Sequence, residues 1–97
     1  MTEMNKLIAI LAMEEIPFEV IENIYWDNTP QVWIPNKKKP IADIICHSGS
    51  YGGNEGLLEI MADFSYDNYH DSVKGYLTAN ETLNIIWDVI HNQSKGE

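Results

Sequence analysis

The chain has 97 residues, 44% of them hydrophobic, and sets fifteen Asp and Glu against six Lys and no Arg, for a formal net charge of −9. That length suits one domain with a single modest core, and the apolar content argues against a disordered chain. The acidity argues against direct nucleic-acid binding, because the chain repels phosphate and lacks the usual bidentate reader of phosphate and guanine.

Met4, Leu7, Ile8 and Leu11 form one stripe and predict an amphipathic helix over residues 3–15. Thr2 is its expected N-cap, Glu3 suits the positive helix start, and Glu14 and Glu15 sit at the unfavourable end. Pro17 forbids continuation. Residues 18–26 read as a strand rich in β-branched and aromatic residues, and Asp27-Asn28-Thr29-Pro30 as a turn. Gln31 to Pro35 is the return strand, with Val32 and Ile34 facing opposite to Trp33.

Asn36 to Pro40 is a basic turn, and residues 41–48 a third strand with Ala42, Ile44 and Cys46 on one face. The glycine-rich stretch 49–56 is expected to form a hairpin tip leading into a fourth strand over 57–62, with a short helix the competing reading. Residues 63–75 look like an exposed loop. Thr78 and Glu81 form a capping box, and Leu83, Ile86, Trp87 and Ile90 predict a helix running to about His91, followed by a polar tail from about 92. The whole reads as one α+β domain over residues 1–97: an N-terminal helix, an antiparallel sheet of about four strands and a C-terminal helix, with both helices on one face.

Several constellations with chemical potential are better explained structurally. Cys46 and His47 are adjacent on a strand and point to opposite faces, so His47 is badly placed to activate a Cys46 nucleophile. His47, His70 and His91 lack zinc-ligand spacing. Asp67 to Asp71 lacks the glycine and the distal glutamate of a calcium loop. Gly49 to Gly56 lacks the Gly-Lys-Ser/Thr ending of a phosphate loop, and Glu55 would repel phosphate. Glu55 and Glu59 form a carboxylate pair with no marked cleft. Lys37-Lys38-Lys39 is small and isolated, and suits a solvated turn at a sheet edge. No enzyme, cofactor or metal site is expected.

The stronger signal is acidic and aromatic. Asp63, Asp67 and Asp71 recur every four residues, interleaved with Phe64, Tyr66 and Tyr69, and Glu55 and Glu59 extend the field if the fourth strand lies beside them. Carboxylates mimic phosphates, and tyrosines supply rigid contact area at protein interfaces. Glu55, Glu59, Asp63, Tyr66, Asp67, Tyr69 and Asp71 are therefore the candidate protein-binding residues. A solvated loop whose tyrosines fold onto the core is the bland alternative. Tyr25, Trp26 and Trp33 either face the core or form a patch for self-association, which leaves the oligomeric state open.

The single cysteine excludes an internal disulfide and suits a reducing, cytoplasmic location. Leu7 to Met13 is too short for a membrane span and lacks a cleavage site, so no membrane partner is expected.

Ser50-Tyr51-Gly52, Gly56-Leu57-Leu58-Glu59-Ile60-Met61 and Gly75-Tyr76-Leu77-Thr78-Ala79, with the N-terminal helix leading to Glu15-Ile16-Pro17-Phe18-Glu19, resemble a group of small uncharacterised proteins of phages and prophages of Gram-positive Firmicutes. The final helix departs from that group at Asn84-Ile85-Ile86-Trp87, where more charge is expected. The resemblance implies an accessory role in a mobile element, within a bacterial host, and brings no activity or functional residue with it. The expectation is a non-enzymatic protein that binds stoichiometrically to a basic protein surface. In that setting it would inhibit a host defence nuclease by covering its nucleic-acid groove, as anti-CRISPR proteins do. A small-molecule or metal-ion binding module using the 49–56 turn and the acidic segment is the alternative.

Overall fold

The computed structural model describes residues 1–62 and 73–95. Helix α1 spans Glu3–Met13 and helix α2 spans Ala79–Lys95. Between them run β1 (Glu19–Asn23), β2 (Thr29–Ile34), β3 (Ala42–Ile45), β4 (Leu58–Ala62) and β5 (Val73–Leu77). The five strands form one antiparallel sheet in the order β1-β2-β3-β4-β5.

The register explains the core. Val32, Ile44 and Ile60 lie side by side across three strands, as do Ile34, Ala42 and Ala62. These rows and Leu58 are buried in one cluster with Met4, Leu7 and Leu11 of α1 and Ile86 and Val89 of α2. Both helices therefore cover the same face of the sheet, and burial of that face is the main drive to fold. The opposite face buries the polar Gln31, Asp43 and Glu59 beside Ile45. Asn23 Nδ2 donates to Gln31 Oε1 (3.0 Å), and Gln31 Nε2 donates to Asp43 Oδ1 (3.3 Å), so the buried Gln31 amide is hydrogen-bonded at both ends.

The helix ends follow local rules. Thr2 Oγ1 accepts from the Asn5 N–H (3.1 Å) and caps α1. At its C-terminus the Ile16 N–H donates to Leu11 O (3.0 Å) and the Glu15 N–H to Ala12 O (3.2 Å), while Ile16 and Leu11 are both buried. This is a Schellman closure with a glutamate, Glu15 at φ 57°, in the left-handed position that glycine usually takes. The capping box of α2 is present: Glu81 N–H donates to Thr78 Oγ1 (3.2 Å) and Thr78 N–H to Glu81 Oε1 (2.9 Å). Glu3 joins the two helices, because its Oε1 accepts from the Ala79 N–H (2.8 Å) while its Oε2 pairs with Lys6 (3.1 Å).

Several expectations are corrected. The strand read over 18–26 ends at Asn23, and Ile24–Trp26 form a 3-10 turn instead. The sheet has five strands rather than four, because residues 73–75, read as loop, begin β5. β3 stops at Ile45, since Ser50 folds the chain back: its Oγ accepts from the His47 N–H (2.9 Å) and donates to the His47 carbonyl (2.8 Å). The buried line of α2 is Ala79, Thr82, Ile86 and Val89, with Leu83, Trp87 and Ile90 half-buried beside it. Thr82 is accommodated because its hydroxyl donates to Thr78 O (2.8 Å). The helix also continues past His91 to Lys95. Of the segment over 57–62, Leu58–Ala62 is a strand, paired on both sides.

Two predictions follow from the helix termini. Replacing Glu15 by glycine removes the left-handed Cβ cost and raises stability by about 1 kcal/mol, read by urea unfolding; a loss of stability would refute the strain argument. The Ala79 N–H, and next the Lys6 side chain, hold the Glu3 carboxyl below its ordinary range. A depressed folded pKa gives stability that is complete above the unfolded value of about 4.3 and is lost as pH falls through the folded one. The melting-temperature gap between the native chain and Glu3→Gln therefore narrows as pH falls below that range. A gap that stays constant with pH would exclude the ionised cap.

Candidate protein interface

The two glycine-bearing segments on either side of the acidic stretch meet in space. Across the β4–β5 pairing, Leu58 faces Leu77 and Ile60 faces Lys74, so Gly75 and Tyr76 together oppose the single residue Glu59. This is a β-bulge, a device that re-aims side chains and bends an edge strand. Its second residue, Tyr76, has φ 58°. A bulky residue in that region costs roughly 1–2 kcal/mol, and such strain tends to concentrate at functional sites.

The 49–56 turn docks onto this bulge. Tyr76 N–H donates to Tyr51 O (3.2 Å), and Tyr51 N–H donates to Glu59 Oε1 (2.9 Å). Glu59 is only 9% exposed, so its carboxyl serves to anchor the turn. The backbone of Gly53 passes so close to His47 that a Cβ there would overlap the His47 carbonyl oxygen. Gly56 is needed for its φ of 76°.

The result is an outward ledge. Tyr51 and Tyr76 are 61% and 60% exposed, and Glu55 and Asn54 are exposed next to them. Ser50, Gly52, Asn54, Glu55 and Tyr76 line a shallow hollow of about 250 Å³. Two rigid aromatic side chains beside a carboxylate suit contact with another protein, and a basic one in particular.

Of the candidate binding residues, Glu55 lies on the ledge and Glu59 beneath it. Asp63, Tyr66, Asp67, Tyr69 and Asp71 lie outside the described residues, as does His70. The acidic segment leaves β4 at Ala62 and enters β5 at Val73, at the end of that hairpin opposite to Glu55. Tyr51 and Tyr76 were not among the residues selected from sequence. The signal available for them was the glycine beside each, at Gly52 and Gly75, which marks a close backbone approach.

The remaining chemical groups have structural surroundings. Burial raises the pKa of the Cys46 thiol, which suppresses the thiolate a nucleophile needs, and its Sγ lies 4.0 Å from Gly53 O. His47 stacks on Trp26 with ring centroids 4.4 Å apart, and its Nδ1 accepts from the Gly49 N–H (2.9 Å). Among the described residues, no three His, Cys, Asp or Glu side chains converge as metal ligands, and no helix is long and apolar enough to cross a membrane.

No family model, curated protein or solved structure matches this chain.

The turn itself can be tested by two glycine substitutions. Gly56→Ala, with no heavy atom within 4 Å of its Cβ, meets only the backbone cost and loses about 1–2 kcal/mol. Gly53→Ala must displace the His47 carbonyl and loses about 3 kcal/mol. Equal losses in urea titrations would show that the close approach at Gly53 does not hold the turn.

Proposed function

We propose that this protein acts without catalysis, by stoichiometric binding to a partner protein with a basic surface. The observation that carries the reading is the Tyr51–Tyr76 ledge, where an exposed tyrosine is held in a strained backbone conformation next to a second exposed tyrosine and Glu55. A net charge of −9 without arginine supports the choice of a basic partner, since the field of the whole chain steers such a surface toward it. Asp63, Asp67 and Asp71 add to that field from the stretch joining β4 to β5.

The resemblance to small phage and prophage proteins supplies the setting. In a mobile element, an acidic binder of this kind serves as an inhibitor that covers the nucleic-acid groove of a host defence nuclease. Carboxylates then take the places of phosphates, and the tyrosines supply apolar contact where bases would stack. The competing ligand-binding reading has less support, because the hollow on the ledge is small and shallow for a small-molecule site.

The test starts from affinity capture in Firmicute host lysate, washed at low and high salt, followed by measured affinities for the captured protein. A nucleic-acid-handling enzyme released by high salt is expected. Tyr51→Ala with Tyr76→Ala, and separately Asp63→Asn with Asp67→Asn and Asp71→Asn, should each weaken its binding at least tenfold, about 1.4 kcal/mol, in chains that still melt cooperatively. Undiminished binding by both folded variants would sink the proposal.

A further inference from the structure

The strand order leaves two edges, β1 and β5, and the chain treats them differently. β5 is guarded by the bulge at Gly75 and Tyr76 and by exposed Lys74, and the Tyr76 N–H is taken by Tyr51. Bulges and lysines are standard ways to keep an edge from pairing. β1 has neither. Its register with β2 is unbroken from Glu19↔Trp33 to Asn23↔Thr29, it contains no proline or lysine, and among the described residues no strand lies beyond it.

Exposed apolar side chains gather along this open edge. Val20 is 41% exposed, and Ile24 and Tyr25 are 75% and 86% exposed on the 3-10 turn that follows the strand. That turn is fixed, since Asn23 Oδ1 accepts from the Tyr25 N–H (2.9 Å). A hollow of about 320 Å³ lies between turn and strand, with Ile21, Tyr25, Gln31 and Trp33 among its walls. Glu22 and Lys37, both exposed, also line it, so the hollow itself suits apolar side chains and Glu22 a basic one.

We propose that β1 accepts an extended segment of a partner protein as a sixth, antiparallel strand, with Ile24, Tyr25 and the adjoining hollow gripping its side chains. Strand addition of this type draws affinity from main-chain hydrogen bonds and specificity from alternate side chains. The chemistry of the segment can be read from β1. Opposite Asn23, Glu22, Ile21, Val20 and Glu19 in turn, it needs polar, basic, apolar, apolar and basic residues. Glu22 is the main anchor, because Glu19 already accepts from the Lys37 N–H (2.9 Å).

A second copy of the chain fits this edge badly. Full antiparallel overlap of two β1 strands sets Val20 against Glu22, and a slip of one residue sets Glu19 against Glu22, between two chains each carrying −9. This surface lies on the edge opposite to the Tyr51–Tyr76 ledge and does not depend on it.

The test is an NMR titration of the isotope-labelled full chain with the capped peptide Ac-Thr-Lys-Val-Val-Lys-Thr-NH2. Saturable amide shifts confined to residues 19–25 are expected, weakened at least tenfold by Val20→Lys with Glu22→Lys. Both positions are exposed, so the rest of that variant's spectrum should be unchanged. A peptide with Glu in place of Lys should not bind. Absence of saturable shifts on β1, shifts at Tyr51 and Tyr76 instead, or equal binding of the acidic peptide would each overturn the proposal. Concentration-dependent β1 shifts without peptide would overturn it too, by making a second copy the occupant. Because the shifts are read on β1 itself, loss of binding at the ledge leaves this result untouched.

Discussion

Everything in this small domain depends on covering one face of a five-stranded sheet with two helices. The cross-strand rows Val32–Ile44–Ile60 and Ile34–Ala42–Ala62 make a flat apolar floor, and Met4, Leu7, Leu11, Ile86 and Val89 close over it. A single carboxylate helps to align the cover, since Glu3 is both in the first turn of α1 and an acceptor for the first N–H of α2, seventy-six positions away. With the helices committed to one side, the buried polar groups of the other face need partners of their own. The Asn23–Gln31–Asp43 chain of hydrogen bonds supplies them across three strands and the Tyr51 N–H supplies one to Glu59, while Trp33 Nε1 is buried without a partner.

Much of that frame was legible because it rests on periodicity and caps. Thr2, the Thr78–Glu81 box and the alternation of Val32, Trp33 and Ile34 are local signals, and the structure contains each of them. The fifth strand was harder to read, because Val73-Lys74-Gly75-Tyr76-Leu77 carries a lysine and a bulge glycine that imitate a loop. The orientation of α2 was ambiguous for another reason. Apolar residues spread over a wide arc from Ala79 to Ile90, so the tertiary fit decides which line is buried, and it places small Ala79 and Thr82 inward and bulky Trp87 at the margin. The ledge was legible only in part: glycine content announced a close approach, but nothing local says that Tyr51 and Gly75 are the groups that approach each other.

The two edges of the sheet express opposite solutions to the same hazard. An unpaired edge invites association. At β5 the bulge diverts the Tyr76 N–H to Tyr51, which consumes a backbone donor and turns the edge into the support for a side-chain surface. At β1 the backbone edge stays regular and only its acids oppose self-pairing. An acidic edge repels its own copy but not a basic strand, so on our proposal charge there would filter partners without blocking strand addition.

Strain at Tyr76 is the feature least explained by folding alone. A left-handed tyrosine costs roughly 1–2 kcal/mol in a domain whose total stability is of the order of 5–15 kcal/mol. Glycine at that position would remove the cost, and the neighbouring residue, Gly75, already is one. Tyr76, 60% exposed, returns only part of what full burial of an aromatic would contribute. A side chain that strains the backbone and stays largely in water contributes most where another surface completes its burial, as at the centre of a protein interface.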